Sequence, residues 1–260
     1  MMSHQTINTE QGHWVLANMG KRVLRPGGRE LTQKLVNGLQ IAQKDTFVEF
    51  APGMGFTMDL VLRKKPKKYT GIELNEEATA RLRAKLNGAQ TATIVNTSAA
   101  ETGLEACCAN KVLGEAMLTM QVDKRKAEII REAFRVLKPG GLYGIHELGL
   151  KPDNLDPEFK STIQRRLAQV IRVNARPLTK REWCSLLEDE GFEIEKIYEA
   201  PMHLLKPQRM IADEGLFRAL KIGFNILTHP NAKKRILKMR KIFTKYENQM
   251  TAYAIIARKP

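Results

Sequence analysis

A short apolar strand, Val48-Glu49-Phe50, runs into the turn Ala51-Pro52-Gly53-Met54-Gly55 and leaves it at Phe56-Thr57, where a helix opens. Glycines at such a turn free the backbone for left-handed conformations and let a ligand approach the main chain closely. Eighteen positions after Gly55, a second apolar run, Tyr69-Thr70-Gly71-Ile72, ends in Glu73. An acid at the end of the next strand can take both hydroxyls of a ribose. Together these features predict a strand–turn–helix–strand unit that holds a nucleoside-containing cofactor at the C-terminal edge of a parallel sheet.

The rest of the chain repeats that alternation. Strands are predicted at 46–50, 68–73, 91–95, 111–115, 142–147, 192–199 and 253–257. Helices are predicted at 29–38, before the first strand, and between strands at 76–87, 123–137 and 157–173. Asn75 stands as an N-cap before Glu76 and Glu77, and Thr179-x-x-Glu182 is a capping box. Alternating strands and helices imply an α/β fold, doubly wound, with a mostly parallel seven-stranded sheet and helices on both faces. The segment 201–247 is too long for a plain connection between strands. It carries two helical patterns, about 208–227 and 231–246. The expected organisation is an N-terminal helical segment (1–40), a cofactor-binding core (41–200), a basic helical insertion (201–247) and a last core strand (248–260). The first and third parts are read as a lid over the site.

The glycine turn is best written Glu49-x-Ala51-x-Gly53-x-Gly55. It resembles motif I of the class I S-adenosylmethionine-dependent methyltransferases, with Ala51 in place of the first glycine. Two further landmarks carry the resemblance. Leu137-Lys138-Pro139-Gly140-Gly141 leads from a helix into the strand Leu142–Glu147, and Leu178–Trp183 to Gly191-Phe192 looks like the helix before strand six. The likeness spans about residues 40–200, and the wider pattern is closest to quinone-biosynthesis and natural-product methyltransferases. It implies a last strand inserted antiparallel between strands five and six.

The resemblance also assigns roles. Ala51, Pro52, Gly53 and Gly55 approach the methionine moiety of S-adenosylmethionine, which Glu49 positions. Glu73 holds the ribose and Leu74 lies along the adenine. Ser98 stands where an acid usually meets the adenine amino group, leaving the Ala99 backbone to serve. Glu115 and Met117, at the end of strand four, line the cofactor and acceptor pocket, with Leu118 beside the acceptor. His146 and Glu147, at the end of strand five, are the general-base candidates, since strand ends face the crevice and histidine titrates near neutral pH. Trp14, Met19, Phe217 and Phe224 suggest an apolar acceptor pocket, with His146 also at the acceptor.

Composition limits the partners. Three cysteines, two of them adjacent (Cys107 and Cys108), argue against a disulfide framework and a zinc site, and fit a reducing, cytoplasmic setting. No metal is expected. The net charge is +15, and residues 201–260 hold thirteen Lys/Arg against three acids, a net of +10. Such a field attracts anions. The expected activity is therefore methyl transfer to a small-molecule acceptor, apolar in body and in some cases anionic, with peripheral contact to an anionic membrane as a further reading. The alternatives are an RNA or protein methyltransferase that uses the basic face, and an S-adenosylmethionine-binding protein without turnover. The acceptor motif of the common nucleic-acid amino-methylating enzymes, Asn/Asp-Pro-Pro-Tyr/Phe, is absent from strand four, which disfavours nucleic acid.

Overall fold

A computed structural model describes residues 12–260, apart from the side chains of His13 and Trp14. The first strand, β1 (Thr46–Phe50), is followed by β2 (Lys68–Glu73), β3 (Ala92–Asn96), β4 (Ala109–Glu115) and β5 (Leu137–Leu150). A two-residue β6 (Leu178–Thr179), β7 (Glu193–Pro201) and β8 (Met250–Arg258) complete the set. The sheet order is β3-β2-β1-β4-β5-β8-β7, with β6 on the end of β5. The first five strands pair in parallel, and β8 lies antiparallel to both neighbours, β5 and β7. The inserted antiparallel strand is therefore present, and β6 brings the described count to eight rather than the expected seven.

The helices are α1 (Gly12–Asn18), α2 (Gly28–Gly38), α3 (Phe56–Leu62), α4 (Glu76–Leu86), α5 (Asp123–Val136) and α6 (Pro157–Ile171). They continue with α7 (Lys180–Glu188), α8 (Pro207–Glu214), α9 (Leu216–Thr228) and α10 (Pro230–Lys245). Local chemistry sets several boundaries as anticipated. The Asn75 side chain accepts from the Ala78 N–H at 2.8 Å and starts α4. Thr179 and Glu182 form the reciprocal capping box of α7. The expected single helix at 208–227 is instead two, α8 and α9, because Gly215 (φ 81°) breaks it. An L-residue strains in that backbone region and glycine does not.

Two apolar clusters cover the faces of the sheet. One joins Val48, Val112, Ile130, Tyr143, Trp183 and Ile255; the other joins Leu31, Leu35, Phe47, Tyr69, Leu82 and Ala254. A separate cluster unites α1, α9 and α10 through Val15, Leu16, Met19, Ile222, Ile236 and Met239. These helices form a cover beyond the strand ends. Two acids of α8, which joins the cover at α9, stitch it to the N-terminal segment. Glu214 accepts from the N–H groups of Arg22 and Val23 at 2.7 and 2.9 Å. Asp213 accepts from the Arg29 N–H at 2.9 Å, capping the start of α2 from another helix. The buried Lys21 ammonium lies 3.8 Å from Asp213 and 3.9 Å from Glu214.

Candidate active site

A cavity of about 340 Å³ opens where β1, β2 and β4 end. The first turn, on its floor, has the conformation its sequence demands. Gly53 and Gly55 have φ of 55° and 71°, and Ala51 has φ of 50°. The position where the resembled motif carries its first glycine thus adopts a glycine-type conformation here too, at a local strain of about 1–2 kcal/mol for the alanine. A Cβ on Gly53 would meet no atom closer than the Ala51 carbonyl at 3.9 Å, so the turn fronts open space. On Gly55 it would meet Leu82 at 2.8 Å. Gly53 lines the cavity, whereas Gly55, expected beside it, is off the wall and packs against α4.

Glu73 ends β2 beside that turn. Its carboxylate accepts from the Gly53 N–H and the Asn75 N–H, both at 3.0 Å, and it lines the cavity. Two backbone donors thus fix the acid in place before any ligand arrives. Glu49 also lines the cavity and accepts from the Tyr69 hydroxyl at 2.7 Å. Burial pushes its carboxyl up to about 8, the Tyr69 bond opposing and the charge of Glu115 adding.

Glu115, at the end of β4, is the hub of the site. It pairs with the Arg25 guanidinium and accepts from the Thr57 hydroxyl. It also accepts from the Thr32 hydroxyl and meets His146 Nδ1, each at 2.7 Å. Burial works against its charge, but Arg25, then His146, then Thr57 hold its carboxyl down at about 2. Arg25 in turn stacks over the Phe56 ring, 4.7 Å from its centroid. This network ties the N-terminal segment (Arg25, Thr32) to the strand edge.

The remaining expected residues divide. Ala51, Pro52, Gly53 and Met117 line the cavity with the three glutamates. Leu74, Ser98 and Ala99 stand at the ends of β2 and β3 but off the cavity wall, and Leu74 is exposed. Ser98 receives a hydrogen bond from Arg125 at 2.7 Å. His146 is fully buried behind Glu115, and its Nε2 lies 2.6 Å from the Pro26 carbonyl. Both ring nitrogens are committed and the ring is off the wall, so the expected open base at this position is not what the geometry provides. Glu147 is fully buried as well. It accepts from the N–H groups of Met117, Leu118 and Thr119 at 2.8–3.0 Å and from the Thr119 hydroxyl. Burial raises its carboxyl, opposed by those bonds. It shapes the loop after β4 from behind.

The expected acceptor contacts need the most correction. Leu118 belongs to the sheet core and Met19 to the core of the cover, and neither lines the cavity. Phe217 and Phe224 point to solvent because the opposite face of α9, with Ala219 and Ile222, is the packed one. The Trp14 side chain lies outside the described residues. The apolar wall is made instead by Leu16, Leu24, Leu148, Leu204, Met239 and Phe243, together with Leu167, Ile171, Val173 and Met202. Sequence reasoning also missed Arg25 and Thr57. The helical apolar pattern of α10 was the signal for Met239 and Phe243, but nothing local ties Arg25 to a partner ninety residues on. Among the described residues no group of His, Cys, Asp and Glu could hold a metal ion, and no helix is long and apolar enough to cross a membrane.

Residues 47–141 match a family described as "Methyltransferase domain". An uncharacterized protein of Haemophilus influenzae is 33% identical over 253 residues, covering 96% of this chain and 98% of its own length. The fold is shared with the [4+2]-cyclase SpnF, at a TM-score of 0.72 and 16% identity over 97% of this chain and 93% of that one. It is shared also with a putative sarcosine dimethylglycine methyltransferase from Galdieria sulphuraria, at 0.69 and 17% over 88% and 85%. Phosphoethanolamine N-methyltransferase 2 of Haemonchus contortus, solved with S-adenosyl-L-methionine, aligns at 0.73 and 16% over 98% of this chain and 58% of that one.

Proposed function

Residues 47–141 are a methyltransferase domain, and from that premise we propose that the chain is a class I S-adenosylmethionine-dependent methyltransferase that methylates an apolar small molecule held between the strand edge and the helical cover. The observation that carries this reading is the cavity's division. Three glutamates and the glycine turn stand on the strand-edge side, and mostly aliphatic side chains with Phe243 stand on the other. A mostly apolar wall with a few fixed polar groups is what small-molecule sites present.

The residues fit the cofactor. The positive-φ turn leaves room for close approach at Gly53. Glu73 is held at the strand end by two backbone donors that keep its carboxylate oriented, which supports a role in charge-assisted hydrogen bonds to a ribose. Glu49, nearly neutral in the free protein, faces the same space and gains a reason to ionise when a cation is beside it. The cofactor supplies an electrophilic methyl group on a sulfonium. What the chain adds is alignment and exclusion of water. Leu148, Met202, Leu204 and Phe243 close the acceptor side. Glu115, kept ionised by Arg25, presents a fixed negative charge at the seam between the two sides. His146 is a positioning residue that holds Glu115 and ties it to Pro26. On this reading, α1 and α8–α10 are the lid, and entry of the acceptor requires them to part from the strand edge.

The test is transfer of labelled methyl from S-adenosylmethionine into fractionated cell extract. Label in the organic-soluble fraction is expected. Label confined to RNA or protein would replace the small-molecule reading with a macromolecular one.

A further inference from the structure

Helix α9 has two apolar faces, and only one of them is used. Ala219 and Ile222 turn inward to the cluster with Val15, Leu16 and Met239. On the other side Phe217 is 88% exposed, Phe224 66%, Leu227 65% and Leu220 63%. At 100° per residue these four, with Leu216, fall within one sector about 100° wide. Soluble proteins seldom leave a contiguous stripe of large apolar side chains in water without a use for it. Stabilising the fold does not explain it, because the stripe touches no core.

The charge around the stripe selects the partner. From Leu216 to Lys245 the chain has nine Lys/Arg and no acid. Lys221 flanks the stripe on α9, and Lys233, Lys234, Lys238, Arg240 and Lys241 are exposed on α10, which packs against it. The acids that could offset them, Asp213 and Glu214, are turned inward to the N-terminal segment. An outward face with aromatic and leucine side chains beside unbalanced lysines is matched by a surface that is apolar beneath a negatively charged layer.

We propose that α9 seats the protein on an anionic lipid bilayer, with Phe217, Leu220, Phe224 and Leu227 entering the interface and the lysines of α9 and α10 meeting lipid phosphates. The inference goes beyond the methyl-transfer reading and does not depend on the acceptor. The inner face of the same cover lines the cavity, so an apolar acceptor dissolved in the bilayer would reach the site without crossing water.

The test is co-sedimentation of the full chain with phosphatidylglycerol–phosphatidylcholine vesicles, beside phosphatidylcholine vesicles alone. Binding to the anionic vesicles is expected, at least about tenfold tighter than to the neutral ones, because several lysines add their attraction. The double variant Phe217→Ser, Phe224→Ser is expected to lose about tenfold or more for each phenylalanine, the scale of an aromatic ring withdrawn from the interface. Its far-ultraviolet circular dichroism and its affinity for S-adenosylmethionine should stay unchanged, which separates loss of docking from loss of fold or of the methyltransferase site. Raising salt from 0.1 to 1 M should weaken vesicle binding, as the Debye length falls from about 10 to about 3 Å. No binding to anionic vesicles overturns the proposal, as does binding that the double variant retains in full. So does a salt-sensitive shift of total RNA that the double variant abolishes while vesicles are ignored, or a dimer in sedimentation equilibrium that the double variant dissolves.

Discussion

The strand-edge wall of the cavity is held by backbone geometry and buried hydrogen bonds, whereas the wall on the cover side is held by side-chain packing and a few ion pairs. The Glu73 carboxylate accepts from the main-chain N–H groups of Gly53 and Asn75, and Glu115 is gripped by four side chains. Small displacements there would break directional bonds. In the cover, Leu16, Ile222, Ile236 and Met239 interdigitate without directional constraint. Packing of that kind tolerates substitution. The contrast suits a wall that recognises one fixed cofactor facing a wall that admits an acceptor.

The contrast can be broken most severely at Glu115. Glu115→Ala strands the buried Arg25 guanidinium and should cost about 3–5 kcal/mol of stability, the scale of a buried pair with one partner removed. Denaturant unfolding measures it. A loss under about 1 kcal/mol would mean that the N-terminal segment is not tied to the strand edge through this network. Next is Glu73→Ala, expected to weaken S-adenosylmethionine binding by about 1.5–3 kcal/mol, as for a lost hydrogen bond to a charged group. Calorimetry showing unchanged affinity would take Glu73 out of the cofactor site.

His146→Ala sharpens the comparison by separating positioning from proton transfer. We expect a stability loss of about 1–3 kcal/mol from the unpaired Pro26 carbonyl and the loosened Glu115. Methyl transfer should fall less than about tenfold, with its pH profile kept. A fall of about 10²–10⁴, the contribution of a general base, would return His146 to acid–base catalysis.

The glutamates should also give the wall opposite pH signatures. Glu49 titrates at about 8 when folded, against 4.5 ordinarily. Between those values the unfolded chain has released the proton and the folded chain has kept it, so stability falls as pH rises, by at most about 1.4 kcal/mol per unit. Glu49→Gln should flatten that decline. Glu115, held at about 2, does the reverse: its contribution is present above 4.5 and is lost as pH falls from there towards 2. Unfolding curves from pH 3 to 9 test both, and a wild-type profile identical to that of Glu49→Gln between pH 5 and 8 would refute the first. The smallest effect belongs to the outer face of α9. Phe217→Ser and Phe224→Ser should each change stability by no more than about 0.5 kcal/mol, since neither side chain touches the core. A larger loss in thermal unfolding would show that the stripe supports the cover.

What the sequence disclosed follows the same division. The glycine turn, the Asn75 cap, the capping box at Thr179 and Glu182, and the acid ending β2 are signals carried within a few residues, and each stands where it was expected. The roles of His146 and Glu147 were not legible. The strand was expected to end at Glu147, but β5 runs on to Leu150 and both residues lie inside it; the partners that occupy them, Pro26, Glu115 and the loop after β4, lie 28 to 120 residues away. The face of α9 was misread for another reason. The helix carries two apolar stripes, and a periodic pattern tells which residues share a face, not which face is covered. Charge pattern held part of the answer: the only two acids between Pro207 and Lys245 mark where the cover is latched.

The central claim is that the two walls do separate work, one holding cofactor and the other acceptor. Its most direct test is Leu204→Arg, which puts a charge on the half-buried edge of the apolar wall, away from the glycine turn. S-adenosylmethionine affinity and labelled methyl transfer into the organic-soluble fraction would be measured on the same preparation. The account predicts affinity within twofold of the wild type and transfer reduced by at least about tenfold, the smaller end of what a misfitting acceptor pocket costs. Transfer at the wild-type level, or affinity lost together with transfer, would contradict it.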